Sequence, residues 1–568
     1  MNRRDFIKRT FLVSLGLTTF SRFNTTYAAM KKVSNQRLSL LRKVTVKMNH
    51  FQKMGTAHLT LTYQGTLPEE IKLIVTNKGG TIIGTGPSIY PTHPSAADKI
   101  KHISNLIREI NVTLSPELID HDKNVYLDLN HRGEGFKLLN ATIKVSEPLM
   151  LENYHSIEGY SPKVSYFPEE VIELKVHSPY PKFSVDFISY GADEHIVQTV
   201  KNITGYRQNY PEYAYRNGVN WLTSLHFKIP KQWSTGLYAA RLYDNSGKDF
   251  YVSFNLKQKI DPLLPKEKRI AILSSTNTWQ AYNTWGGGSL YKYLIENDLK
   301  PIHGQIVNTQ RPNEAATPIG NPEHLANAEK LILAWLERNG YPFHVISDPD
   351  LHNNPNLLQS FGTLIINTHG EYWSKQMYKG LESFLKNGGN LLCLSGNAIY
   401  WKVVQQGDQI EARKIFGYHT LNGERGGLWR NLGLPESKIL GALYTPKGYM
   451  TFKPYQVINP NHWIFTNTNL KKGDLIGSMG LNRGGASGHE TDKRDKSSPK
   501  NIVLLAKGTN PNNGGAEMVY YDHPGGGGVF SVGSITFGGS LAIDPNLTQI
   551  VKNVLNRFTN PKGPHHEK

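Results

Sequence analysis

Two patterns of hydrophobic spacing divide the chain. From Met30 to Glu147 short segments such as "AHLTLTYQG", "EIKLIVTNKGG" and "VYLDLNHRG" alternate apolar and polar residues between Gly, Asn and Pro. Period-two spacing places alternate side chains on one face, so the region is expected to be antiparallel β structure. One helix, "DKIKHISNLIREI" (98–110), is expected to interrupt it. The same spacing continues over 148–258 in "VIELKVHS", "FSVDFISYG", "GLYAARLYDNSG" and "FYVSFNLK", which suggests an immunoglobulin-like β-sandwich without the disulfide of a true immunoglobulin domain.

After a proline-bearing, charged linker at 259–267 the period changes. "HLANAEKLILAWLERNG" and "KQMYKGLESFLKNGG" carry apolar residues at helical spacing and end at Gly340 and Gly388, suited to the position just past a helix C-terminus. "IAILSS", "FGTLIIN" and "NLLCLSG" are unbroken apolar runs, as in strands buried on both faces. Residues 268–560 are therefore expected to form an α/β doubly wound domain around a mainly parallel sheet, a grammar that also suits a glutamine-amidotransferase-like fold. The expected whole is N-terminal all-β, sandwich-like modules followed by that α/β domain, with a disordered tail at 561–568.

Composition adds compartment and excludes some chemistry. Arg3 and Arg4 precede Phe6, Ile7 and a short apolar run, and Ala28 and Ala29 follow, so residues 1–29 read as a twin-arginine signal peptide. The run is too short for an ordinary membrane-spanning helix, and the expected location is periplasmic or secreted, with the twin-arginine translocation machinery as partner. Mean hydropathy is −0.44, as for a soluble globular body. The formal charge of +18 is spread along the chain without a nucleic-acid module, so no nucleic-acid partner is expected. The single cysteine, Cys393, permits no internal disulfide and no Cys-based zinc site, and its apolar neighbours suit a small buried residue.

In parallel sheets, sites form where loops leave the carboxyl ends of the strands. Three such loops follow the apolar runs: "TNTWQAYNTWGGGSLYKY", "THGEYW" and "NAIYW". In the second, His369 and Glu371 flank a glycine and could bind metal or exchange protons, although Glu371 would also suit a helix N-terminus with no further role. The glycine run lacks the endings of a P-loop or dinucleotide loop. Tyr282 and Tyr291 flank it, and a phenolate is a hard oxygen ligand suited to ferric iron. No nucleophilic cysteine sits at an elbow, and there is no G-x-S-x-G or H-E-x-x-H motif.

The segments "IEGYSPKVSYFPEEVIELKV", "TWQAYNTWGGGSLY", "THGEYW", "LSGNAIYW", "GGASGHETDKRD" and "MVYYDHPGGGGVFSVGSITFGGSL" occur in order, and over about 157–542 the chain resembles the N,N-dimethylformamidase large (beta) subunit family. The resemblance implies hydrolysis of a small amide C–N bond at a mononuclear ferric iron. It implies ligands Tyr282, Tyr291 and Glu371, and catalytic neighbours His369, Asn397 and Glu490, with Glu517 a rival for Glu490. Trp279, Trp285, Trp373 and Trp401 could together wall the pocket, although for each one singly ordinary core packing is the favoured role. Only eight residues separate the two tyrosines, fewer than in the characterised enzymes, and those lack an export signal, so another small or N-substituted amide is expected as substrate. A homo-oligomer or a small subunit is a possible partner. The competing expectations are a periplasmic carbohydrate- or envelope-binding protein without catalysis, and a catalytically dead relative serving assembly.

Overall fold

A computed structural model of the chain describes residues 156–560 apart from short breaks at 212, 246, 296–297, 302–303 and 415–416. Two short strands, Lys292–Ile295 and Asp298–Pro301, and seven strands within 38–146 are described by their backbone alone. The expected signal peptide and C-terminal tail lie outside the described residues. What is described is mostly β-sheet with few helices, arranged in several modules.

The chain divides into two compact units, one of residues 1–148 with 415–425, the other of 149–414 with 426–568. In the first, the strands Leu38–Thr45, Thr56–Gln64, Glu70–Thr76, Ile82–Thr85, Ile107–Leu114, Asn124–Arg132 and Lys137–Ser146 form one seven-stranded antiparallel sheet. The expected helix at 98–110 is corrected at its C-terminal end, because residues 107–110 belong to the strand Ile107–Leu114. Ile107, Ile110, Val112 and Thr113 are β-branched, and from Ile110 onward the apolar residues alternate, which favours a strand.

The second unit opens with two facing sheets. Val171–His177 pairs with Thr223–Lys228 and Glu158–Tyr160, and Lys182–Tyr190 pairs with Glu194–Thr204 and Gly236–Tyr243. Ile172, Leu174, Val176, Val185, Phe187, Leu242 and Phe254 close one core between them, as the period-two pattern requires. The following linker is pinned down, since the Arg269 guanidinium donates to the carbonyls of Leu264, Pro262 and Ser360.

Next comes a nine-stranded mixed sheet. Numbering its parallel strands along the chain, β1 is Ile270–Ser274, β2 Phe343–Ser347, β3 Thr363–Thr368, β4 Asn390–Ser395 and β5 Gly528–Ser531. Their order in space is 2-1-3-4-5, and four strands pairing antiparallel extend the sheet beyond β5. Alternate residues serve opposite cores. Ile270, Ile272, Ile365 and Leu392 pack under the helices Ala326–Arg338 and Pro545–Thr559. Ala271, Leu273, Leu364, Ile366 and Cys393 pack under the helix Lys375–Lys386. Both faces are covered, which explains the unbroken apolar runs. Burial pushes the Cys393 thiol up and leaves it without thiolate character.

Because β1, β3 and β4 run parallel, their three following loops emerge on one edge of the sheet. The edge between β1 and β3 is where the strand order reverses, the position at which such sheets open a crevice. A second sheet, of Gly304–Asn308, Gln409–Arg413, Trp401–Gln406 and Tyr372–Ser374, continues from these loops. Among the described residues no helix is long and apolar enough to cross a membrane.

Candidate functional site

After β1 the chain turns directly into the helix Thr276–Tyr282. Thr278 and Tyr282, four residues apart, share one face of it. The Thr278 hydroxyl accepts the backbone N–H of Glu371 at 3.2 Å, which docks the loop after β3 against this helix. Tyr282 ends at the same place, with its hydroxyl 3.4 Å from Glu371 Oε2 and 3.2 Å from the Tyr291 hydroxyl. Tyr291 in turn donates to Glu371 Oε1. Tyr282, Tyr291 and Glu371 are thus brought together as three oxygen-bearing side chains around one point.

The loop bearing Tyr291 is held by Arg311, which is 1% exposed and pairs with no carboxylate among the described residues. Its guanidinium donates instead to the carbonyls of Asn283, Trp285, Gly288 and Asn308. Burial lowers this group to about 9.

The other expected residues fall into place around Glu371. His369 Nε2 is 3.1 Å from Glu371 Oε2 and 3.7 Å from Glu490 Oε2, and its Nδ1 is fixed by the Gly396 carbonyl at 3.0 Å. Asn397 Nδ2 donates to Glu490 Oε2 at 2.8 Å. Of the two rival glutamates, Glu490 joins the cluster, whereas Glu517 accepts from Arg494 at 2.8 Å and takes no part.

The electrostatics follow from burial. Burial first, and then the charge of Glu371, raise both Tyr282 and Tyr291 well above the ordinary phenol value. Burial opposes ionised Glu371, but the hydrogen bond and charge of His369, with Lys414, hold it below the usual carboxylate range. Burial likewise opposes a charged His369, yet the Glu371 hydrogen bond and the two carboxylates push it up to about 9. Burial raises Glu490.

Four residues here use a backbone conformation that side-chain-bearing residues seldom adopt: Thr368 (φ 50°), Asn397 (φ 52°), Ile399 (φ 55°) and His489 (φ 62°). Two of them are β-branched, for which the left-handed region is strained. Such strain gathers at functional loops and is upheld by the surrounding structure. Gly396 shows how tight that surrounding is, since a Cβ there would lie 2.7 Å from both the Glu490 carbonyl oxygen and the Ile535 nitrogen.

Three of the four tryptophans pack in cores, the role favoured for each one singly. Trp279 and Trp373 lie in the two main cores, with the Trp279 N–H on Glu329 at 3.0 Å. Trp285 packs with Trp221 and donates to Glu158 at 3.1 Å. Only Trp401 joins Tyr282 and Tyr291 in their cluster. The large aromatics are drawn into the cores because they bury the most surface. Tyr372, Lys414, His324 and His489 stand around the phenols and carboxylates in their stead. The Lys414 ammonium lies 3.1 Å from the Tyr291 ring centroid and within 5.4 Å of those of Tyr372 and Trp401, and burial lowers it to about 7. The His324 ring stands 4.5 Å from that of Tyr282 and 5.1 Å from that of His489. Burial, His369 and other nearby cations lower His324 to about 2 and His489 to about 4. Tyr372 and His489 adjoin Glu371 and Glu490 in the sequence, which was their only signal. His324 and Lys414 had none.

The phenols and the carboxylate fit a metal. Oxygen ligands about 2 Å from a common ion stand about 3 Å from one another, close to the spacings found here. The Tyr282 and Tyr291 hydroxyls converge on the Glu371 carboxylate, and the donor set is hard and anionic once their protons leave. No group of three or more His, Cys, Asp or Glu among the described residues forms an alternative centre. A cavity of about 560 Å3, lined by Asn277, Gln280, Lys257 and Asp350, opens on the opposite face of the helix Thr276–Tyr282.

Among proteins of known identity, the chain is similar to two entitled N,N-dimethylformamidase beta subunit, from Paracoccus aminophilus and from an Alcaligenes species. Each is 29% identical over 279 aligned residues, covering 41% of this chain and 36% of the relative, so only about a third of either relative's length is matched. Among solved structures, the N-terminal domain of mmIFT52 aligns with 41% of this chain and 89% of its own at 13% identity, with a TM-score of 0.22, too low to inform the fold. The family described as N,N-dimethylformamidase beta subunit-like, C-terminal, matches residues 185–553, which include β1 to β5 and every residue of the cluster. The chain belongs to that family.

Proposed function

We propose that the chain hydrolyses the C–N bond of a small or N-substituted amide, at an iron centre held by Tyr282, Tyr291 and Glu371. The observation that carries this reading is the meeting of three oxygen donors at one point, with His369 and Glu490 beside them. Ferric iron, when bound, would polarise the amide carbonyl and acidify water.

The protein's own residues supply the proton traffic. Glu490, raised by burial, accepts a proton from the attacking water. His369, oriented by Gly396, donates one to the departing amine nitrogen, and Glu490 then returns its proton to His369 across the 3.7 Å gap. Water is thereby added across the C–N bond with both residues restored. Asn397 positions Glu490 through Nδ2, which leaves its buried, unpartnered Oδ1 as an acceptor for the attacking water.

The strand order 2-1-3-4-5 supports reading the domain as glutamine-amidotransferase-like, with the elbow after β3 given to His369 and Glu371 rather than to a thiol. The names of the relatives support a partner subunit. Arg3 and Arg4 support twin-arginine export of the folded chain to the periplasm.

The test is metal analysis of protein expressed in the cytoplasm, with its visible spectrum. One iron per chain and a phenolate-to-iron absorption band are expected, with amide hydrolysis that Glu371→Gln abolishes. Colourless protein that takes up no iron would refute the reading.

A further inference from the structure

A row of rings leads from the phenol pair toward solvent. His324 stands against Tyr282 at 4.5 Å between centroids, His489 against His324 at 5.1 Å, and Tyr449 against His489 at 6.1 Å. Tyr449 is 51% exposed, so the row ends at the surface. Its middle is polar where a pocket for alkyl groups would be apolar. Both ring nitrogens of His324 and Nδ1 of His489 are buried without a hydrogen-bond partner. Glu323 Oε2 is 3.8 Å from His324 Nδ1 and beyond hydrogen-bond reach.

The two imidazoles are held in place by the backbone. His324 lies just before the helix Ala326–Arg338. His489 has φ 62°, follows the strand Ser487–Gly488 paired with Phe452–Lys453, and accepts the Met450 N–H at 2.9 Å. The charge of Arg483, itself paired with Glu323, acts on both rings. Buried nitrogens left unpaired are unfavourable, and a site that offers them rejects ligands unable to bond them. N-methyl groups provide nothing to bond, whereas a carboxylate accepts from the one N–H that each neutral imidazole carries.

We propose that the substrates are amides whose N-substituent ends in a carboxylate, N-acyl amino acids in class, and that His324 and His489 receive that carboxylate beside Arg483. This inference rests on the amide-hydrolase reading above. It places the scissile bond at the phenol and glutamate cluster and the acid end toward Tyr449.

The experiment compares N-formylglycine with N-propylformamide on the iron-loaded full chain, by turnover and by calorimetric binding. N-formylglycine is expected to show at least tenfold higher kcat/KM, expressed mainly in KM. His324→Phe and His489→Phe should shrink that ratio, while His489→Gln, which keeps a hydrogen-bonding side chain, should retain part of it. Equal kcat/KM for the two amides, or preference for the propyl compound, overturns the inference and leaves the hydrolase reading standing. If neither amide is turned over, the hydrolase reading fails and calorimetry decides the inference. Tighter binding of N-formylglycine that falls in the two Phe variants sustains it, and equal binding of the two amides overturns it.

Discussion

Asn397 and Glu490 are joined by a side-chain hydrogen bond of 2.8 Å, while the backbone N–H of the same asparagine donates to Asp492 at 2.9 Å. One residue in a left-handed conformation thus fixes the loop after β4 to both carboxylates of the segment 490–492. Asn397→Gly keeps the backbone accessible and removes the amide, whereas Asn397→Ala also meets the steric strain of positive φ. Both are expected to lower turnover by about a hundredfold, a typical effect of losing one positioned polar group. Iron content should not change, and the Ala variant should melt lower than the Gly variant. Metal analysis and thermal unfolding of the two proteins check this.

Tyr282 and Tyr291 are protonated in the metal-free chain because burial and Glu371 raise both phenols well above their usual range. Taking up ferric iron should therefore release two protons from the phenols, and apparent affinity should rise with pH. A pH-stat titration at neutral pH measures the number directly. Tyr282→Phe and Tyr291→Phe should each release one proton fewer and lose part of the visible band. The double variant should be colourless.

Glu158 and Glu329 are each pushed up to about 7 by burial, against the hydrogen bonds they accept from Trp285 and Tyr210, and from Ser274, Trp279 and Ser275. Their folded values lie above their unfolded ones. The stability they contribute is complete below about pH 4.5 and is lost as pH rises through about 7, where the unfolded carboxyls have already ionised. Metal-free protein should lose on the order of a few kcal/mol between pH 5 and pH 8 from the pair. Urea unfolding across that range checks it, and Glu158→Gln should flatten the slope.

Arg311 holds four main-chain carbonyls of the segments before and after Tyr291. Arg311→Met leaves those acceptors buried without donors and should destabilise the protein by about 2–4 kcal/mol, on the scale of a few orphaned polar groups. Arg311→Lys should recover only part, since an ammonium cannot span the same fork. Urea midpoints read the stability. Iron retention should fall in parallel, because the loop being held is the one that presents Tyr291.

The elements that sequence reading captured are those whose side chains answer to local periodicity. The runs at Thr363–Thr368 and Asn390–Ser395 are apolar on both faces because both faces are buried, and that is visible without coordinates. Glu371 and His369 were legible because they leave the end of such a strand. Residues 107–110 were misread because Ile and Leu at mixed spacings satisfy a helix and a strand equally until the pairing with Thr56–Gln64 is known. His324 and Lys414 were invisible for a different reason. Each enters the cluster from a segment with no spacing relation to Glu371, so only the tertiary fold brings it there. Trp279 and Trp373 follow the core-packing role favoured for each singly, because the adjacent cores offer a large aromatic the most area to bury.

The oxygen donors come from positions 80 and 89 residues apart in the chain, with β2, β3 and a full helix laid down between them. An extended or collapsed chain cannot present all three at once, because closing loops of that length precedes any gain from the contact. The centre is consequently a product of folding and no nucleus for it, and any metal bound there would be acquired by a chain whose sheet is already formed. Colour would then report completion of the fold, and a denatured sample given iron would stay pale until refolding had run its course.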